Sequence, residues 1–332
     1  MKNFLRTLSC ALLAISFTAS GANSYDNLWI LGDSYSDRGN AHLSSNGFVV
    51  PAAHGFLDGR WSNGPMWTEH LASGLGLPEP TPGFNTTFSV GNNLAVGGAK
   101  TGTGSSLGPA WEGNGLTSQV AGFGNFYSNP ATNGSALFVV FAGANDIVDV
   151  DFFNPNSLGT IIDASMANID AAIRSLYNLG ARSFLMPNLP GHTVLGDTNP
   201  FPQNQTAFAN AFNPELNATI NTLRTDLADA EIIGVDFQGV FQDILNNPGS
   251  FGITNTSDPC LDYSASFSLL GSCGGAANDY LLFDTVHPTA TTHAALGAAA
   301  LAAIQPVPVP AALPLLVSAI FSLSWFGRRR QS

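Results

Sequence analysis

Residues 28–40 spell LWILGDSYSDRGN, an apolar run that breaks at Gly32 into aspartate, serine and glycine. A short apolar run closed by turn residues is the pattern of a buried strand. Ser34 then stands at the carboxyl end of that strand, where a helix can begin. A serine there either caps a helix or acts as a nucleophile, and only the rest of the chain distinguishes the two.

Three further β-like runs occupy residues 136–141, 183–186 and 231–237. Ahead of the 183–186 run, Ile162, Met166, Ile169, Ile173 and Leu176 recur at helical spacing and give way to Gly180 as a C-cap. Residues 204–230 and 291–304 are also predicted helical. Apolar strands that alternate with helices need crossover connections, which predicts an α/β fold with a parallel sheet covered on both faces. Residues 41–133, rich in Gly, Asn and aromatic side chains, are predicted to be loops with one helix near residues 65–75. They would lie over the carboxyl ends of the strands, where open α/β sheets bind ligands. No repeat or linker interrupts residues 25–304, which are expected to form one domain.

The chain holds 11 Lys and Arg against 23 Asp and Glu, and 45% of it is hydrophobic. That content fills a sizeable core and argues against disorder. Lys2, Arg6, Arg328, Arg329 and Arg330 lie near the ends, so the middle carries six cations against 23 carboxylates, a net charge of −17. Such a surface repels nucleic acid and anionic membranes. Residues 1–22 have the layout of a secretory signal peptide: basic Lys2 and Arg6, an apolar stretch and the small residues Ser20, Gly21 and Ala22. At the other end a proline-rich stretch leads to apolar residues 311–326 and the three arginines. Sixteen residues fall short of the roughly 20 that span a bilayer comfortably, and the arginines favour the cytoplasmic side.

Cys10 belongs to the leader. Cys260 and Cys273, with twelve residues between them, form a disulfide in an exported chain or remain two free thiols. No histidine follows them until His287. His42, His54, His70, His192 and His293 lack metal-ligand spacing, so neither a metal nor a cofactor is expected.

Asp284 and His287 are three residues apart, a spacing at which the carboxylate can fix the imidazole tautomer and free the other ring nitrogen to take a proton from serine. Asn145 and Asp146 follow the most apolar run, and Asn145 can offer its amide to an oxyanion. Gly97 and Gly98 can bring a backbone N–H close to the same oxygen without a side chain in the way. A competing nucleophile is Ser106, within Gly104-Ser105-Ser106-Leu107-Gly108, the Gly-x-Ser-x-Gly pattern of a nucleophile elbow. That pattern needs a strand before it and a helix after it. Trp61 and Trp67 either wall an acyl pocket or pack in the core.

In order along the chain, GDSYSD, AVGGA, GANDI and DTVHPT resemble the four signature blocks of the GDSL/SGNH hydrolases. The resemblance covers residues 27–304, including GRWSNGPMWTEHLA at 59–72 and the Cys260/Cys273 loop. Within the superfamily the chain is most similar to the extracellular esterase/lipase branch with plant-type and haemolysin-like phospholipase members. The resemblance implies a three-layer α/β/α fold with a flavodoxin-like parallel sheet and a carboxylic ester as substrate. It makes Ser34 the nucleophile, His287 the general base and then acid, and Asp284 its orienting partner. The oxyanion hole becomes the N–H of Ser34, the N–H of Gly98 and the amide of Asn145. Tyr35 stands where leucine is more usual, which alters the edge of the acyl pocket. A polysaccharide O-deacetylase, an acyltransferase, or a non-catalytic surface module on the same fold are the rival functions.

Residues 307–316, VPVPAALPLL, resemble the PEP-CTERM class of sorting signal. That resemblance implies transient tethering at the inner membrane of a Gram-negative bacterium, cleavage by an exosortase-like peptidase, and release to the cell surface or matrix. The alternative is a permanent anchor. The expected organisation is a signal peptide at 1–22, a hydrolase domain at 23–305 and a sorting signal at 306–332.

Overall fold

All four predicted core strands form, and they run parallel. The computed structural model describes residues 25–83, 91–194, 202–263 and 269–304. The signal peptide expected at 1–22 and the sorting signal expected at 306–332 lie outside the described residues. Strand β1 (Asn27–Gly32) pairs with β2 (Ala136–Phe141), β2 with β3 (Ser183–Pro187), and β3 with β4 (Glu231–Val235). Every residue of β2 is buried, which is why its sequence, ALFVVF, is a continuous apolar run rather than an alternating one.

The chain alongside the free edge of β1 completes the sheet. The Ile30 N–H donates to the Asn92 carbonyl, and the Leu94 and Val96 N–H groups donate to the Ile30 and Gly32 carbonyls at 2.7 and 3.1 Å. Residues 92–96 thus run parallel to β1. Counted in chain order with this segment second, the strands lie 2-1-3-4-5, the flavodoxin-like order.

Among the described residues there are eight α-helices: α1 (Asn40–Ser44), α2 (Trp67–Leu75), α3 (Leu116–Phe126), α4 (Pro130–Asn133), α5 (Ser157–Asn178), α6 (Pro202–Asp226), α7 (Phe237–Asn246) and α8 (Ala290–Ile304). Helices α3, α5 and α6 pack together against one face, while α2, α7 and α8 pack together on the other, giving three α/β/α layers. The α5 face predicted from spacing is the buried one, with Ile162, Ile169, Ile173 and Leu176 inside and Gly180 just beyond its end at φ 101°. Aromatic edges lock sheet to helices: Phe138 packs on Phe123 of α3, and Phe141 on Trp67 of α2 and Phe237 of α7.

The structure departs from the sequence expectation in three places. The strand predicted over 231–237 stops at Val235, because the Asp236 carboxylate accepts the Gly239 N–H and caps α7, which was not anticipated. The helix predicted over 204–230 ends at Asp226, where residues 227–230 turn into β4. Residues 41–133 hold three helices besides α2 or at its margins, notably α3. Its glycines and asparagine lower helix propensity, but burial of Leu116, Val120 and Phe123 overrides that cost. Trp67 is a core residue, fully buried.

Strands β5 (Leu261–Tyr263) and β6 (Leu269–Ser272) form an antiparallel pair closed by the Cys260–Cys273 disulfide. The pair backs a small second core of Val50, Phe56, Leu261, Tyr263 and Phe283, directly before Asp284. Closing so short a loop is worth about 3 kcal/mol in the chain-entropy account. The protein isolated without reductant should therefore be two hydrogens lighter than its dithiol form, and reduction should lower its unfolding free energy by about that amount in guanidinium titrations.

Candidate active site

Gly32 ends β1 with φ 149°, and a Cβ there would sit 2.0 Å from the Phe141 carbonyl oxygen of the neighbouring strand. Only glycine lets the two strands run together to that point. The Gln119 side chain accepts from the Gly32 N–H and donates to its carbonyl, both at 2.8 Å. Past this clamp the chain turns sharply: the Asp33 carboxylate accepts the Tyr35 N–H and the Asp33 carbonyl accepts the Ser36 N–H. Ser34 is left at the crest of the turn, and its N–H donates no hydrogen bond within the described residues.

His287 arrives from the far end of the domain. The Asp284 carboxylate accepts the His287 backbone N–H at 2.8 Å through one oxygen and faces its Nδ1 at 2.7 Å through the other. With Nδ1 donating to Asp284, the opposite nitrogen, Nε2, is the acceptor, and it lies 2.8 Å from the Ser34 Oγ. Burial pushes the Asp284 carboxyl up, but the His287 ring and the Val286 and His287 N–H groups outweigh it and hold the group below the ordinary value. It stays an anion beside the imidazole.

Tyr35 and Trp61 frame this pair. The Tyr35 hydroxyl donates to the Val286 carbonyl at 2.7 Å, so it is a strut between the serine turn and the histidine loop. Its ring is buried against Phe141 and His287. The Trp61 ring lies 4.8 Å from the His287 ring. Behind Tyr35, burial takes His293 down to about 3, so that ring is neutral.

Asp37 binds the remaining parts. One carboxylate oxygen accepts the Gly39 and Asn40 N–H groups at 2.8 and 2.6 Å. The other accepts from Ala41, from the Gly97 N–H at 2.8 Å and from the Trp61 indole. Of the two glycines, Gly97 gives its N–H to Asp37, whereas the Gly98 N–H donates no hydrogen bond within the described residues and stays the candidate donor. Gly98 has φ 79°, and a Cβ there would strike Leu107.

Asn145 follows β2. Its Nδ2 donates to the Ala99 carbonyl at 3.1 Å, which leaves one of its two amide hydrogens for the site. Its Oδ1 accepts from the Ser106 Oγ at 2.7 Å. Ser106 lies in a loop bonded to this amide, without the strand and helix that an elbow requires. The four blocks are thus brought together: Asp284 and His287 meet Ser34, Gly97 meets Asp37, and Asn145 meets Ala99, an arrangement that suits a candidate nucleophile, base and orienting carboxylate with three candidate oxyanion donors. The roles of Tyr35, Asp37, Trp61 and Ser106 were not foreseen. Tyr35, Asp37 and Trp61 had a signal as members of the quoted blocks, and Ser106 as the centre of a Gly-x-Ser-x-Gly pattern, but none of these signals gave the role.

Asp33, next to Ser34, is fully buried with one carboxylate oxygen unpartnered. Burial pushes its carboxyl from 3.8 up to about 7, against the Tyr35 N–H and the His287 ring, with Asp146 and Asp37 raising it further.

The profile for GDSL-like lipase/acylhydrolase matches residues 28–300. A GDSL esterase/lipase of Arabidopsis thaliana is 26% identical over 329 residues, covering 86% of this chain and 92% of its own. The thermolabile hemolysin of Vibrio parahaemolyticus is 29% identical over 277 residues, covering 79% of this chain and 60% of its own. Among solved structures, a catalytic mutant of Axe2, an acetylxylan esterase from Geobacillus stearothermophilus, superposes with a TM-score of 0.45 at 14% identity, over 85% of this chain and 95% of its own.

The raised Asp33 value has a signed consequence. The native state keeps a proton that the unfolded chain releases near 3.8, so stability falls as pH rises from there to about 7 and then levels off. Asp33→Asn removes that titration and should flatten the decline by on the order of 4 kcal/mol. Unfolding free energies of both proteins at about pH 4.5 and 7.5 check it; an equal decline in the two would exclude Asp33 as its source.

Proposed function

The chain belongs to the GDSL-like lipase/acylhydrolase family and is a carboxylic ester hydrolase, and from that premise we propose that it is exported and works through an acyl-enzyme on Ser34. The observation that carries the proposal is the unbroken line from the Asp284 carboxylate through His287 to the Ser34 Oγ, with contacts of 2.7 and 2.8 Å.

In this mechanism His287 Nε2 takes the Ser34 proton as Oγ attacks the ester carbonyl. Negative charge develops on the carbonyl oxygen, and the Ser34 N–H, the Gly98 N–H and the free amide hydrogen of Asn145 stabilise it. The imidazolium, held by Asp284, then protonates the leaving alcohol. A water attacks the acyl-serine by the same route in reverse, and His287 returns the proton to Oγ. Asp33 in its protonated form spares the developing oxyanion a negative neighbour, a benefit that fades as pH rises through about 7.

The acyl group is proposed to be apolar, as in an esterase/lipase or phospholipase. Val148, Phe152 and Phe153 are exposed on the connection that leaves Asn145, and Phe153 is fully so. A lipid ester is also in keeping with similarity to a protein named as a hemolysin. Export is supported by the leader pattern of residues 1–22 and by the disulfide, a bond suited to an oxidising compartment. Residues 306–332 are proposed to tether the exported chain at the inner membrane until an exosortase-like peptidase cuts it, with the domain at 23–305 passing to the surface or matrix.

Ser34→Ala removes the nucleophile and no core volume, so it should fold normally and lose roughly 10⁴-fold or more in kcat on nitrophenyl esters. A fluorophosphonate should label the wild type on Ser34 alone. Label on another serine, or near-normal turnover by Ser34→Ala, would end this reading. Intact-mass analysis of exported material tests the tail: loss of residues beyond 306–310 supports sorting, and a species that keeps Arg328, Arg329 and Arg330 excludes it.

A further inference from the structure

The loop between Gly98 and Leu116 reaches back to touch two of the three candidate oxyanion donors, and one residue makes both contacts. The Ser106 N–H donates to the Gly98 carbonyl at 2.8 Å, while its Oγ donates to the Asn145 Oδ1 at 2.7 Å. Ser105 adds a weaker contact to the same carbonyl at 3.3 Å. The base of the loop is pinned independently: Ala99 bridges Ser105, the Lys100 N–H donates to Gly104, and Thr101 donates to the Asp146 carboxylate through both its N–H and its hydroxyl. Ser106 is half-buried and has no histidine partner among the described residues.

We propose that Ser106 is a positioning residue that orients and polarises the Asn145 amide for the oxyanion. The Ala99 carbonyl can only accept, so it takes one hydrogen of Nδ2 and places Oδ1 toward Ser106. The Ser106 hydroxyl must then donate. A donor on Oδ1 draws electron density from the amide nitrogen and makes its remaining hydrogen a better partner for a developing negative charge, the cooperativity of a hydrogen-bonded chain. The benefit is greatest when that charge is largest, at the tetrahedral state, so it appears in kcat rather than in substrate binding. The Ser106 backbone contact fixes the peptide after Gly98, whose φ of 79° aims the Gly98 N–H, so the two donors keep a set spacing.

The inference rests on the acyl-enzyme reading above and deepens it. Ser106→Ala should lower kcat about tenfold, the scale of one hydrogen bond to a group that carries charge in the transition state, and leave KM within about twofold. Ser106→Thr, which keeps the hydroxyl, should restore most of the loss. In an Asn145→Ala or Asn145→Ser background, Ser106→Ala should cost less than about twofold, because the residue it acts through is gone. Full kcat in Ser106→Ala, or the same tenfold loss in the Asn145 variants, would overturn the inference while Ser34 still takes the fluorophosphonate. Loss of all turnover in Ser106→Ala, with Ser34→Ala active and Ser106 labelled, would overturn the parent reading as well.

Discussion

The buried carboxylate of Asp37 is the constraint on which the site depends. It accepts five N–H groups: three from the start of α1, one from Gly97 and one from the Trp61 indole. Removing a carboxylate from water costs several kcal/mol unless its lone pairs are filled, and here they are. The return is geometric. Those five donors belong to the start of α1 just after the serine turn, to the Gly97 peptide and to the residue that lies on His287, and the farthest, Gly97, is 60 residues from Asp37. Loss of Asp37 would free all of them together, whereas Gly97 alone is one contact among many.

Charge is divided sharply among the carboxyls around Ser34. Asp284 is buried, yet three hydrogen bonds from the His287 loop keep it ionised. Asp33 is as deeply buried and has one N–H to accept, so its value rises to about 7. In the proposed mechanism, an anion behind the imidazole stabilises the imidazolium formed when serine gives up its proton. An anion beside the serine would oppose the oxyanion instead. The His287 ring against Asp284, with two backbone donors behind it, separates that carboxyl from Asp33, where burial outweighs a single N–H.

The amount legible in the sequence follows from how local each feature is. The Asp284 and His287 contact was readable because three residues of one loop contain it, and the strands because β2 and its neighbours are buried runs of uniform character. The Tyr35 strut was not, since its partner lies 251 residues away and a lone tyrosine carries no pattern. Gly97 and Gly98 could not be ranked by spacing, because the difference lies in which N–H Asp37 consumes. Helix α3 was hidden by its glycines, and β4 was overextended because Asp236 announces a cap only through a side chain folded back on Gly239. Ser106 had been weighed as a nucleophile on a five-residue pattern, but the absence of a flanking strand and helix gives it a different task.

Bracing and exposure fall on different lengths of the same connection after β2. Its first residues are fixed: Asn145 by Ala99 and Ser106, Asp146 by Thr101 and Ser165, and Asp149 by Lys100 at 2.8 Å. Beyond Asp149 the connection holds itself, with the Asp151 carboxylate taking the Phe153 N–H and the Ser157 hydroxyl taking the Asp151 N–H, before α5 begins. Phe152 and Phe153 are therefore held out on a short, self-braced bend whose side chains pack against little else. Exchange of those aromatics leaves the bonds to Asn145 untouched, since none passes through residues 150–156. A connection arranged this way can change its exposed side chains without moving Asn145, because its bracing is concentrated at the strand end and variation is left to the loop.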